Sequence, residues 1–310
     1  MPCFSRHLKK YVTRGIHFMI YTLKNEYYDI KISDMGAEMI SMKSPGGYEF
    51  LWQGGEGLWS MQAPVLFPLC GSYANRRYTI LGEERPIELH GFALTSKFEL
   101  VEKTDSSIEF VLRANEKTRI TFPFDFELFV RYTLSSDTVT LDAKVKNLSD
   151  ITMPYMFGWH PGFNLPTGKS LDTEDYQIDV KTDKLSWTPM SEDGVFYTEK
   201  PLEYKLTDGA YRLNTKEIYP NDTMIFKGHK NYARMFAKGR SYELTLTWSD
   251  NLPTLCLWKE PIDETKFICI EPWSDYNTDG VNDANFDIRK IEKLEAGKEA
   301  SYFFKLKISE

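Results

Sequence analysis

The chain has 310 residues, 42% hydrophobic and 27% charged, with a formal net charge of −7. This is the composition of a soluble globular protein, long enough for one large domain or two ordinary ones. The acidic balance disfavours nucleic acid and anionic membrane as partners, and no apolar run approaches the roughly 20 residues of a bilayer span.

Residues 1–18 carry Arg6, Lys9, Lys10 and Arg14 and no acid, so the rest of the chain is more acidic than the whole. The segment lacks the apolar centre of a secretory signal, although its basic character mimics a transit peptide. It is expected to be a disordered or mis-called leader, with the functional start at Met19. A cytoplasmic location follows as the default. The four cysteines, Cys3, Cys70, Cys256 and Cys269, show neither CxxC nor zinc spacing. Cys256 and Cys269 lie in the apolar runs TLCLW and KFICIE and read as buried free thiols.

From Met19 on, the dominant pattern is period-two alternation of β-branched and aromatic residues. Strands are predicted over 20–23, 28–32 and 38–42, with turns at Gly36 and 45–47 and a glycine loop at 54–57. Residues 58–70, LWSMQAPVLFPLC, are apolar but hold two prolines, which predicts an irregular buried crossing. Strands follow over 77–81, 97–101, 107–113, 119–122, 127–134 and 138–148. In the last of these Val139, Leu141, Ala143 and Val145 share one face, as in a half-buried antiparallel strand.

Residues 155–166, YMFGWHPGFNLP, read as an apolar strand broken at His160 by Pro161 and Gly162. Residues 167–220 are polar and rich in turn residues, predicting long loops with short strands. Strands resume over 223–227, 233–237, 242–248, 254–258 and 266–271, where Pro272 is expected to stop the ladder. Residues 287–295 suit a short helix or a strand, and 302–308 suit a final strand. About twenty short strands with recurrent turns and few helices predict an all-β antiparallel sandwich or barrel. No linker divides residues 19–310, which predicts a single domain there.

The five histidines are His7, His17, His90, His160 and His229. The first two lie in the leader, and His229, among lysines in KGHKN, reads as a solvated turn residue. His90 and His160 each follow an apolar or aromatic residue and precede Gly or Pro. Glu271 ends the apolar run FICIE, where an unpartnered carboxylate is costly to bury. Two imidazoles and a carboxylate meeting in a cleft make a general acid–base set.

The segments FPLCGSYANRRY (67–78), ELHGFA (88–93), GWHPGFNLP (158–166), NDTMIF (221–226) and ICIEPW (268–273), in this order, resemble the aldose 1-epimerase (galactose mutarotase) family, in particular its LacX-like branch. The resemblance covers most of 19–310. It implies a large antiparallel β-supersandwich with an open cleft that interconverts the α and β anomers of a free monosaccharide without cofactor or metal.

Carried over, Glu271 is the base that takes the C1 hydroxyl proton, and His160 the acid that protonates the ring oxygen. His90 hydrogen-bonds the ring-oxygen region. Arg76 corresponds to a sugar-binding arginine, with its neighbour Arg77 as the alternative. Ser72 stands where many LacX-like chains have another arginine. Asp222 falls where a family aspartate binds hydroxyls, and it equally suits a turn-capping role after Pro220-Asn221. Trp159 is expected to face the core rather than a sugar.

Three rivals remain: a non-catalytic sugar binder on the same fold, a mutarotase for hexose 6-phosphates, and a two-histidine, one-carboxylate metal oxygenase. The last is disfavoured by the absence of HxD or HxE. A monomer and a homodimer are equally compatible with the sequence.

Overall fold

The computed structural model describes residues 18–309 except 56, 167–174, 190–200, 207–208, 214–222, 240, 260–265 and 277–283. Among the described residues there are 24 strands, one short α-helix and two short 3-10 turns, so the chain is all-β as its alternation implies. Two large sheets dominate.

The first sheet has nine antiparallel strands, ordered 210–212, 176–179, 232–237, 243–248, 299–309, 138–147, 126–135, 107–113 and 99–103. Its long members obey a strict two-residue period. Phe126–Ser135 and Thr138–Asn147 bury alternate residues, and Val139, Leu141, Ala143 and Val145 all point into the core. Each such apolar side chain contributes about 1.5–3 kcal/mol of burial. The second sheet runs 202–205, 184–188, 223–227, 254–258, 267–273, 158–159 and 65–66, with 162–164 also paired to 267–273. One continuous apolar core draws side chains from both sheets.

Two central strands of the second sheet differ from the alternating pattern. Phe267–Trp273 is buried at every position and Thr254–Trp258 at all but the last. One face of this pair, with Leu255, Leu257, Ile268 and Ile270, enters the main core. On the other face Cys256 lies opposite Glu271 and Trp258 opposite Cys269. Alternation therefore sets Cys269, Glu271 and Trp273 side by side on that second face.

Several expectations are revised. The ladder does not stop at Pro272, which pairs with Leu255 inside a strand that continues to Trp273. Ile270 N–H donates to Pro161 and Ser274 N–H to Phe157, so the Pro272 nitrogen, at the same parity, faces the gap between these partners. Trp159, midway between those partners, belongs to the strand 158–159, so proline leaves this one ladder position without an N–H donor. Of the segment predicted as a strand over 119–122, residues 119–121 belong to the helix Glu116–Thr121, and Phe122 caps its C-terminus. Its start is set by Asn115, whose side chain accepts from the Lys117 and Thr118 N–H groups while Thr118 Oγ1 accepts from Asn115 N–H. This reciprocal cap overrides the β-branched composition. Asn115→Ala should lower stability by about 1 kcal/mol, read from the urea midpoint.

Residues 287–295 hold a short strand, Glu292–Leu294, paired with Met153–Tyr155, rather than a helix. The 58–70 crossing is irregular as expected, with only Val65–Leu66 in a ladder. His229 is buried against Trp248, ring centroids 5.2 Å apart, instead of solvated, while its neighbour Lys230 points out. Its Nδ1 accepts from Asn231 N–H, and burial pushes the imidazole down to about 4. The leader expected over 1–18 lies outside the described residues except for Phe18. No helix among the described residues is long and apolar enough to cross a membrane.

Candidate active site

The interruption at His160-Pro161 lies beside the strand that carries Glu271. His160 N–H donates to the Pro64 carbonyl and Gly162 N–H to Gln62, while Trp159 Nε1 donates to Ala63. These bonds tie the broken strand to the 58–70 crossing, which is anchored in turn by a buried acid. Glu38 Oε1 accepts from the N–H groups of Gln62 (2.7 Å) and Ala63 (3.0 Å), and burial pushes its carboxyl up to about 7. The arrangement leaves the His160 side chain facing Glu271.

His160 Nε2 lies 3.2 Å from Glu271 Oε2. Their relative solvent exposures are 6% and 0%. Oε2 is close to the imidazole without hydrogen-bond alignment, and His160 Nδ1 has no hydrogen-bond partner. Glu271 Oε1 faces the Cys256 thiol at 3.6 Å. Burial raises the Glu271 carboxyl well above its ordinary range, against weaker pulls from Cys256 and Trp273. Burial also lowers the His160 imidazole well below its own, helped by the nearby His90.

His90 completes the group. Its ring meets that of His160 edge-on, centroids 5.2 Å apart, and lies 5.7 Å from Trp273. Its backbone N–H donates to the Gly71 carbonyl (2.8 Å), and its Nδ1 accepts from Gly71 N–H (3.0 Å). A ring whose Nδ1 accepts carries its proton on Nε2, so neutral His90 is a hydrogen-bond donor at its free end. Burial and the Arg76 guanidinium push its imidazole down to about 3, which keeps it neutral. This geometry requires an unusual backbone. His90 has φ +62°, and Gly91 follows at φ +76°. A Cβ on Gly91 would sit 2.4 Å from the Phe67 carbonyl oxygen. Left-handed conformations in non-glycine residues cost about 1–3 kcal/mol and gather at functional sites.

A second strained turn carries the two arginines, with Asn75 at φ +58° and Arg76 at φ +52°. It separates their directions. Arg77 is exposed and pairs with Glu84. Arg76 turns toward His90, and its Nη1 is buried without a hydrogen-bond partner. Of the two arginines, Arg76 therefore faces the site. Asp222 lies outside the described residues.

Trp159 is buried in the core against Phe304, as expected. The aromatic neighbours of His160 are instead Trp59, stacked on its ring at 4.8 Å, and Trp258, edge-on at 5.7 Å. Trp52 and Phe267 extend this wall. The sequence offered no local signal for Trp59, which reaches the site from the irregular crossing. Cys70, Cys256 and Cys269 are all buried, and the last two share the face of Glu271.

One trio among the described residues has the spacing of a metal site: ligand atoms of His160, Cys269 and Glu271 lie within 4.8 Å of one another. His90 is not in it. The two-histidine oxygenase arrangement is thus not the one formed.

The profile of the aldose 1-epimerase family matches residues 19–305. The chain belongs to the aldose 1-epimerase family. Among curated family relatives, protein LacX (plasmid) of Lactococcus lactis subsp. lactis is 31% identical over 272 residues, covering 84% of this chain and 89% of LacX. A solved galactose mutarotase related enzyme from Lactobacillus acidophilus superposes with a TM-score of 0.87 at 30% identity, over 94% of this chain and 97% of that one. A galactose mutarotase-like protein from Lactobacillus casei gives a TM-score of 0.84 at 22% identity, over 94% and 100%. The fold is accordingly the galactose mutarotase-like β-sandwich, as the sequence motifs implied.

Proposed function

We propose that the chain is an aldose 1-epimerase that interconverts the α and β anomers of a free monosaccharide. The observation that carries this is the buried Glu271–His160 pair, 3.2 Å apart, beside the donor His90. Ring opening must remove a proton from the C1 hydroxyl and deliver one to the ring oxygen, two atoms joined through C1. Glu271 takes the first proton and His160 supplies the second. Neutral His90, through Nε2–H, stabilises charge developing at the ring oxygen. Rotation about C1–C2 and reversal of both transfers give the other anomer.

The pair's electrostatics suit this cycle. Carboxylate with imidazolium, and carboxylic acid with imidazole, hold the same single proton. Ring opening converts the first form into the second through the sugar, and closure restores it. Burial, which raises Glu271 and lowers His160, favours the uncharged form that accompanies the open-chain sugar. No proton need be exchanged with solvent between the two halves.

A pH dependence follows. The pair should retain one proton over a range extending beyond both ordinary values, below 6.5 for the imidazole and above 4.5 for the carboxyl. The expected kcat/KM profile is bell-shaped. It falls in acid, when the pair takes a second proton, and in alkali, when it loses its only one. A profile that falls on neither side would contradict this assignment.

Arg76 is the proposed contact to sugar hydroxyls. Arg76→Ala should raise KM by roughly 10–100-fold, the loss of a charged hydrogen bond, whereas Arg77→Ala should leave KM within about 2-fold as expected for an exposed ion pair. The same asymmetry favours a free sugar over a 6-phosphate, since only Arg76 of the two turns inward. The deciding measurement is polarimetry or NMR of freshly dissolved α-glucose, α-galactose and other aldoses. If none equilibrates faster with the protein than in buffer, the reading fails in favour of a non-catalytic sugar binder.

A further inference from the structure

We propose that the acid–base pair, together with Cys269, forms a binding site for a thiophilic divalent cation, with zinc as the type ion, and that the cation inhibits the enzyme. The ligands are His160 Nε2, Cys269 Sγ and a Glu271 carboxylate oxygen. Binding requires only this cluster. Inhibition rests additionally on the mutarotase reading, because the cation takes both proton-transfer groups at once.

The strand architecture brings the ligands together. Cys269 and Glu271 are two residues apart on the same face of Phe267–Trp273. His160 approaches from the interrupted neighbouring strand, and the ligand atoms of all three lie within 4.8 Å. Zinc bonds of about 2.0–2.3 Å separate the donors of a tetrahedral centre by about 3.3–3.8 Å. A side-chain adjustment on the order of 1 Å therefore closes the site.

Glu271 supplies the independent sign that a positive group fits here. The residue is fully buried, and its Oε2 lies beside His160 with no hydrogen bond. Oε1 is held by the Cys256 thiol, which fixes the carboxylate much as an outer ligand shell does at metal centres.

The donor chemistry selects the ion. One nitrogen, one sulfur and one oxygen suit zinc, cadmium or cobalt, while magnesium and calcium require oxygen ligands. Three protein ligands leave one tetrahedral position for water or a sugar hydroxyl. Binding displaces the Cys269 thiol proton and the proton shared by Glu271 and His160, so affinity should rise with pH.

The test uses the full chain without sugar. Cobalt(II) or cadmium(II) should produce a thiolate-to-metal charge-transfer absorption that saturates at one equivalent, with Kd at or below about 10 µM. Zinc should displace the probe and magnesium should not. Cys269→Ser should abolish the band. Should that variant fold poorly, His160→Asn should weaken probe binding at least 10-fold by the same readout, while Cys70→Ser should leave the band in place. No saturable band on the wild-type chain, or a band unchanged by Cys269→Ser, overturns the site. Metal saturation should also slow anomer exchange at least 10-fold, reversibly on chelation, and full turnover at saturation would refute the inhibition. A chain that forms the band but accelerates no aldose retains the metal site and loses the mutarotase reading.

Discussion

Glu271→Gln should lower kcat for anomer exchange by at least about 10²–10⁴-fold, the contribution of a positioned proton-transfer group. The substitution keeps the size of the side chain and its neighbours, Cys256 on one side and His160 on the other. It removes the carboxylate proposed to accept the C1 hydroxyl proton. Sugar binding should be largely retained, since an amide still donates and accepts hydrogen bonds in the same place. The fold should tolerate the change. Glu271 is fully buried, and a neutral amide avoids the desolvation cost of a charge there. Polarimetry would give the rate, ligand-induced changes in tryptophan fluorescence the affinity, and thermal unfolding the stability. A variant with near-normal turnover would remove Glu271 from the mechanism. A variant that also lost binding would assign the carboxylate to holding the sugar.

The legibility of this site in the sequence divides along physical lines. His90, His160 and Glu271 were visible because each is an ionisable residue that follows an apolar or aromatic one and precedes a Gly or Pro. Local chemistry alone exposes that conflict between burial and charge. The strands 223–227 and 254–258 were legible to the residue, because alternation and flanking turn residues are local too. Trp59 was not legible. It reaches His160 from a crossing held by contacts distant in sequence, among them Glu38 accepting from two backbone N–H groups 24 and 25 positions away. Cys256 and Cys269 were read as thiols buried for packing. Their place beside Glu271 depends on the register of two paired strands, which periodicity within one strand does not reveal. Arg76 could not be distinguished from Arg77 until two consecutive left-handed residues set their directions. The helix at Glu116–Thr121 was missed for the opposite reason: its β-branched residues suit a strand, and a side-chain cap decides otherwise.

His160→Asn should cost turnover on the same scale, about 10²–10⁴-fold, because the ring oxygen then lacks a proton donor during opening and a base during closure. Asparagine keeps a polar side chain in the buried gap, and the backbone bonds to Pro64 and Gln62 do not involve the ring. The variant loses the stacking of the imidazole on Trp59. That loss should lower stability by about 0.5–1.5 kcal/mol, too little to unfold the chain. The two single variants acquire more meaning when combined. If Glu271 and His160 pass one proton between them through the sugar, each is useless without the other. The double variant Glu271→Gln/His160→Asn should then be no more than about 10-fold slower than the slower single variant, since residues that act as a unit are non-additive. Multiplying penalties would instead show two independent contributions, and the shared-proton cycle would have to be abandoned even if each residue proved essential by itself.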